Sequence, residues 1–99
     1  MRLKPRDIDA IKWAATEVFG PQAVVHLYGS RVDDELRGGD IDLLIDVAEG
    51  QDDRRAADRF RTRLFERIDE QKVDIVFRVK GTIPPAFVRL IERDAVQLP

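Results

Sequence analysis

The carboxylates of Asp40 and Asp42 are the strongest candidates for metal binding or catalysis in this sequence. The two aspartates are separated by Ile41 and lead into the apolar run 43–45. A strand that begins there points both carboxylates to the same face, roughly 6.5–7 Å apart along the chain. Carboxylates this close repel each other, and a hard divalent cation such as Mg²⁺ or Mn²⁺ compensates that repulsion. The pair therefore predicts a metal site at the start of a strand.

A second motif, Gly29-Ser30, directly follows the apolar run 23–28. Glycine lets the backbone approach a ligand closely, and the N–H groups and the serine hydroxyl can bind phosphate oxygens. Arg31 could add a phosphate contact or, alternatively, pair with one of the acids that follow it. A phosphate-binding turn beside a metal-binding pair is the minimal equipment for phosphoryl or nucleotidyl transfer.

A third carboxylate, Asp74, interrupts the apolar residues of the segment 72–79. A carboxylate inside such a strand costs free energy unless it is paired or bound to a metal. Together with Asp40 and Asp42, it is predicted to be a site residue. Asp46 lies four residues beyond Asp42 on the same face. It could support the site, but we interpret it as a solvent-exposed acid at the strand end.

Hydrophobic periodicity indicates the elements that must position these side chains. The predicted elements are a helix over 7–19, a strand over 23–28, a short helical or turn segment over 31–36, a strand over 40–47, a helix over 52–68, a strand over 72–79, a short helix around 87–91, and a short strand or extended tail over 95–98. We expect a small α/β domain with a mixed three- or four-stranded sheet, helices packed on one face and the acidic site on the other. His26, the only histidine, is predicted to be structural.

Length and composition limit the possible functions. The 99 residues predict a single domain over 1–99. A net charge of −2 gives no overall basic field, so direct nucleic-acid binding is not expected. The absence of cysteine excludes disulfides, thiolate chemistry and cysteine zinc sites. No apolar run approaches the length of a membrane span, and we expect a cytoplasmic protein without membrane contact.

The ordered set Gly29-Ser30, Asp40-Ile41-Asp42-Leu43 and Asp74 resembles the DNA polymerase β nucleotidyltransferase superfamily over residues 24–77. The small size makes the chain most similar to the minimal nucleotidyltransferase branch, whose members are antitoxin partners of HEPN-domain toxins. The sequence departs from the family pattern at three positions. They are Val32 in place of a small residue, Asp34 in place of a glycine, and Gly39 where serine is frequent.

The resemblance implies a nucleotidyltransferase fold and the transfer of a nucleoside monophosphate, AMP from ATP, to a hydroxyl of a helical HEPN-type partner. Asp40 and Asp42 would hold two divalent ions, and Asp74 would bind the ion that activates the acceptor hydroxyl and could accept its proton. Gly29 and Ser30 would bind the β- and γ-phosphates. A homo- or hetero-oligomer is expected. The alternative is a non-catalytic nucleotide-binding or toxin-neutralising subunit of a two-component complex, because the phosphate loop is altered.

Overall fold

The computed structural model describes residues 3–32 and 40–99. The predictions for the segment 33–36 and the family departures at Asp34 and Gly39 lie outside this part of the chain. The elements are α1 (Pro5–Phe19), β1 (Val24–Tyr28), a 3₁₀ turn (Gly29–Val32), β2 (Ile41–Val47), α2 (Arg54–Leu64), β3 (Val73–Val79), α3 (Ala86–Glu92) and β4 (Val96–Gln97). No helix in the two described ranges is both long enough and apolar enough to cross a membrane.

The four strands form one mixed sheet in the order β3-β2-β1-β4. Strand β1 runs antiparallel to both β2 and β4, whereas β2 and β3 are parallel and are connected through α2. The sequence predicts a small α/β domain with a mixed sheet, and the structure confirms it. Helix α3 differs from the expectation that the helices pack on one face, because Arg78 holds it to the other face. The strand order and the register come from the structure alone.

Helices α1 and α2 cover one face of the sheet and enclose the main apolar core. The ring of Phe19 at the end of α1 stacks on Phe60 of α2, with the ring centroids 6.1 Å apart, and meets Phe77 of β3 edge-on at 5.5 Å. The alternate residues of β2 that face this core are fully buried. This buried side leaves the opposite face of the sheet to carry polar groups.

Helix α2 ends at Leu64, earlier than the predicted residue 68. The N–H groups of Glu66 and Arg67 bond to carbonyls three residues back, which tightens the chain into turns. Ile68 is nevertheless buried in the core, as its spacing predicts. At the other end, the Asp53 carboxylate accepts a hydrogen bond from the N–H of Ala56 and caps the helix.

Helix α3 is held to the second face of the sheet by Arg78 of β3. Its Nη1 donates to Glu92 of α3 at 2.7 Å, and its Nη2 donates to the Asp46 carboxylate at 2.9 Å. Asp46 and Arg78 are direct neighbours in the β2–β3 register. The side chain of Asp46 is only 14% exposed, so the prediction of a solvent-exposed acid was wrong, because Arg78 supplies its counter-charge.

Candidate active site

The register of the parallel strands β2 and β3 places Asp42 directly beside Asp74. Both side chains are partly buried on the second face, and their carboxyl groups lie within hydrogen-bonding reach of each other. The alternation of side chains along each strand predicts that both aspartates point away from the core. It does not predict that Asp42 and Asp74 are neighbours across the two strands. The structure therefore brings together two of the three predicted carboxylates.

The surroundings of Asp42 raise the pKa of its carboxyl above the ordinary value. Burial is the largest cause, followed by the charge of Asp74, the hydrogen bond with Asp74 and the charge of Asp40. Lys72 partly opposes these effects. At neutral pH, two neighbouring carboxylates therefore share a partly desolvated position, and either a proton or a cation relieves the repulsion between them.

Asp40 lies just before β2, and its side chain is 43% exposed. Its carboxylate forms an ion pair with Lys72, whose Nζ is 3.4 Å from Oδ2. The N–H of Ile41 donates a hydrogen bond to the carbonyl of Lys72, and this bond places Asp40 and Lys72 side by side. Among residues 3–32 and 40–99, no three Asp, Glu, His or Cys side chains are grouped closely enough to hold a metal ion together. Asp40 is thus near the Asp42–Asp74 pair but is engaged with Lys72.

Gly29 begins the turn that faces Asp42. Its φ is +79°, and a Cβ at this position would overlap Oδ2 of Asp42. Only glycine therefore lets the chain turn this close to the carboxylate. The backbone of Ser30 and Arg31 follows in the same Gly29–Val32 turn, while the Ser30 side chain is outside the described part of the structure. The predicted phosphate-binding backbone and the carboxylate pair are adjacent.

Tyr28 is a site neighbour that the sequence analysis did not predict. It pairs with Asp42 across the antiparallel β1–β2 register, so Tyr28, Asp42 and Asp74 form one row across three strands. Burial, and then the negative charges of Asp42 and Asp74, raise the pKa of the Tyr28 phenol. Its position immediately before Gly29, at the end of β1, is the sequence signal that could have identified it.

His26 lies on the same face of the sheet as this row, two residues before Tyr28 in β1. Its Nδ1 is 3.3 Å from the carbonyl oxygen of Leu44 and 4.0 Å from the Asp46 carboxylate. The described contacts of His26 are thus with Leu44 and with Asp46, the acid that pairs with Arg78. These contacts agree with a structural role.

The chemistry of the donors is compatible with Mg²⁺ or Mn²⁺. Asp42 and Asp74 offer only oxygen ligands, and the raised pKa of Asp42 indicates a position where a positive charge is favoured. Asp40 could add a third carboxylate if its ion pair with Lys72 opens. The pair could therefore hold a hard cation next to a turn whose backbone can bind phosphate.

A comparison with protein families agrees with this geometry. The family of the nucleotidyltransferase domain matches residues 8–97, a range that contains the Gly29–Val32 turn and the whole Tyr28–Asp42–Asp74 row. The chain belongs to the nucleotidyltransferase domain family. No curated protein matches the sequence.

The close contact at Gly29 makes a direct prediction. Gly29→Ala should destabilise the fold by about 1–2 kcal/mol for the positive φ and, in addition, displace the Asp42 carboxylate. Gly81→Ala is the matched control, because Gly81 has a φ of +82° but no atom within 4 Å of its added Cβ. Thermal unfolding with and without MgATP should show that both variants lose stability, but that only Gly29→Ala also loses the increase in Tm caused by MgATP. Equal MgATP shifts in the two variants would contradict the role of Gly29.

The raised pKa of Asp42 predicts how stability depends on pH. Because the folded-state pKa exceeds the ordinary value of 3.8, the folded chain binds the proton more tightly between these two values. The free energy of unfolding of the wild type should therefore fall, relative to Asp42→Asn, as the pH rises through that window. Without divalent ions, the variant should be the more stable chain at pH 7, and the difference should shrink below pH 3.8.

Added Mg²⁺ with ATP should reverse this order, because the ligand stabilises only the chain that binds it. Asp69→Asn, a change at an exposed acid, is the control and should behave like the wild type. Thermal unfolding from pH 3 to pH 8 measures both effects. The metal assignment fails if Asp42→Asn keeps the full MgATP shift, and the repulsion argument fails if the variant is the less stable chain at pH 7 without metal.

Proposed function

We propose that the protein transfers a nucleoside monophosphate, AMP from ATP, to a hydroxyl group of a helical HEPN-type partner protein. The modification would silence the partner, so that the protein acts as the antitoxin of a toxin–antitoxin pair. The family establishes a nucleotidyltransferase domain. The nucleotide, the metal and the partner are the parts of the proposal that go beyond the family.

One observation carries the proposed chemistry, namely the Asp42–Asp74 pair beside the Gly29 turn. The pair provides two adjacent oxygen donors with an unfavourable concentration of negative charge. The turn provides backbone that approaches Asp42 as closely as a glycine allows. A triphosphate with its divalent ion has both of the complementary features, since it supplies positive charge to the carboxylates and anionic oxygens to the turn.

The roles of the residues follow from these positions. Asp40, Asp42 and Asp74 would hold one or two Mg²⁺ or Mn²⁺ ions, which when bound neutralise phosphate charge and acidify the acceptor hydroxyl. Gly29, Ser30 and Arg31 would bind the β- and γ-phosphates. Asp74 would accept the proton of the hydroxyl. The hydroxyl oxygen then forms a bond with the α-phosphorus, and the bond from that phosphorus to the bridging oxygen breaks and releases pyrophosphate.

The partner and the antitoxin role rest on the resemblance to the minimal nucleotidyltransferases. The resemblance is carried by Gly29-Ser30, by Asp40 and Asp42, and by Asp74. HEPN-type partners of this branch are helical proteins, and a tyrosine hydroxyl is a suitable acceptor. We expect the partner to be encoded by a neighbouring gene.

A non-catalytic, nucleotide-binding or toxin-neutralising subunit is the second candidate function. It is favoured by the ion pair between Asp40 and Lys72, which engages the third carboxylate. It is also favoured by Val32, because the pattern of the superfamily that the sequence resembles has a small residue at this position. Under this alternative, the chain binds ATP and the partner but leaves the partner's mass unchanged.

Intact-mass analysis of the partner after co-expression with this protein tests the proposed function. The wild type should add one or more AMP groups to the neighbouring helical protein. Asp74→Asn should lower the rate of transfer by about 100-fold or more, since it removes the group that takes the proton, while part of the nucleotide binding remains. Asp69→Asn, which changes an exposed acid, should transfer AMP like the wild type.

Two results would count against nucleotidyl transfer to a protein. The first is an unmodified partner in a stable complex with the wild type, which would favour the non-catalytic subunit. The second is unchanged turnover in Asp74→Asn, which would remove the role given to Asp74.

A further inference from the structure

The exposed apolar side chains of the protein are concentrated around α3. Among the described residues, four large hydrophobic side chains are exposed, and three of them fall within eight positions: Ile83 at 87%, Phe87 at 58% and Leu90 at 63%. Phe87 and Leu90 are three residues apart and are therefore neighbours on the helix surface. We call Ile83, Phe87 and Leu90 the α3 patch.

Arginines border the α3 patch beside Leu90, whereas Glu49 and Asp52 line the groove beside Phe87. Arg89 and Arg93 lie with Ala86 and Leu90 around a shallow groove of about 320 Å³ on the outer side of the helix. Both arginines are exposed. An apolar surface with a basic border is complementary to an apolar surface with an acidic border.

A second arginine-rich surface lies on α2 and the turns that follow it. Arg61, Arg63 and Arg67 of this surface contact the protein itself, whereas Arg54, Arg55 and Arg59 are exposed. Arg61 donates from Nε to the carbonyl of Val73 at 2.9 Å, and Arg63 pairs with Glu66. The guanidinium of Arg67 lies 3.7 Å from the ring centroid of Trp13. Helix α2 also has no exposed large apolar side chain among those described. The α3 patch is therefore the better docking surface of the two.

The α3 patch is connected to the active site through β3. Glu92 of α3 binds Arg78, and Arg78 lies on the same face of β3 as Asp74, four residues further on. At about 3.3 Å per residue, this separation is about 13 Å along the strand. A protein that contacts α3 could therefore reach the Asp42–Asp74 pair with another part of its surface.

We propose that the α3 patch is the surface on which the acceptor protein docks, through a helix whose apolar residues are bordered by Asp or Glu on the side that meets Arg89 and Arg93. This inference rests on the proposed function, because it assumes that the acceptor is a protein. The three side chains of the patch are too few to make a stable interface by themselves, since such an interface buries about 800 Å² and takes about 20–30 residues on each partner. The docked protein must therefore contact surface beyond α3. The adjacent surface is the face of the sheet that carries Asp42 and Asp74, so the same protein would also cover the proposed active site.

A second copy of this chain is a poorer occupant of the patch. Two copies related by a twofold axis through Leu90 would bring their Arg89 and Arg93 side chains towards one another. The repulsion between like charges opposes such a contact. A partner with an acidic border meets the same arginines with opposite charge.

Two matched pairs of variants test the docking surface. Leu90→Ser is compared with Val96→Ser, since both residues are exposed and apolar but Val96 lies on β4. Arg89→Glu is compared with Arg59→Glu, a charge reversal at an exposed residue of α2. Affinity for the purified protein encoded by the neighbouring gene should fall by about tenfold or more for the two α3 variants only. All four variants should keep the wild-type increase in Tm with MgATP.

Three results would overturn the docking surface. One is a loss of affinity in Arg59→Glu with full affinity in the α3 variants. Another is self-association of the wild type, measured by sedimentation, that Leu90→Ser abolishes. The third is a wild type that forms no complex with the neighbouring gene's protein although its Tm still increases with MgATP. Nucleotide binding would then be intact, and only the docking surface would be wrong. Failure of the proposed function is recognised separately, since it removes the MgATP shift or the AMP mass even when the complex forms.

Discussion

The parallel register of β2 and β3 is the constraint on which the site depends, because it fixes Asp42 opposite Asp74. The two carboxylates repel each other in a partly desolvated position, and the pKa of Asp42 is raised as a result. The fold tolerates this repulsion because the alternate residues of the same strand, Ile41, Leu43 and Ile45, are fully buried against α1 and α2. A shift of the register by one residue would exchange these apolar side chains with the acids and expose the core, so the core itself maintains the unfavourable pair.

The same two strands contain an informative contrast. Four residues along, the register pairs Asp46 with Arg78, and the arginine supplies the positive charge that the acid needs. At the Asp42–Asp74 position the register supplies a second acid, and Lys72, whose charge opposes the rise in the pKa of Asp42, is paired with Asp40. The register thus pairs an acid with a base in one row and two acids in the other, beside a turn in which Gly29 has a positive φ. This difference is the physical reason for proposing the Asp42–Asp74 row as the active site.

Much of this arrangement could be predicted from the sequence. Hydrophobic periodicity predicted the helices and strands, and the alternation along the strands predicted which face carries Asp42 and Asp74. The apolar periodicity of 52–68 predicted α2, although the helix ends at Leu64. Partners across strands could not be predicted, because periodicity carries no information on strand order or register. Arg78 as the partner of Asp46, Lys72 as the partner of Asp40, and Tyr28 beside Asp42 therefore emerged only from the structure.

The most direct test of the account is to locate Mn²⁺ by anomalous scattering in crystals grown with a non-hydrolysable ATP analogue. The account predicts an anomalous peak within coordination distance of carboxylate oxygens of both Asp42 and Asp74, with the triphosphate against the backbone of the Gly29–Val32 turn. An analogue bound at that turn with no Mn²⁺ at the two carboxylates, or Mn²⁺ and triphosphate bound together elsewhere on the protein, would contradict it.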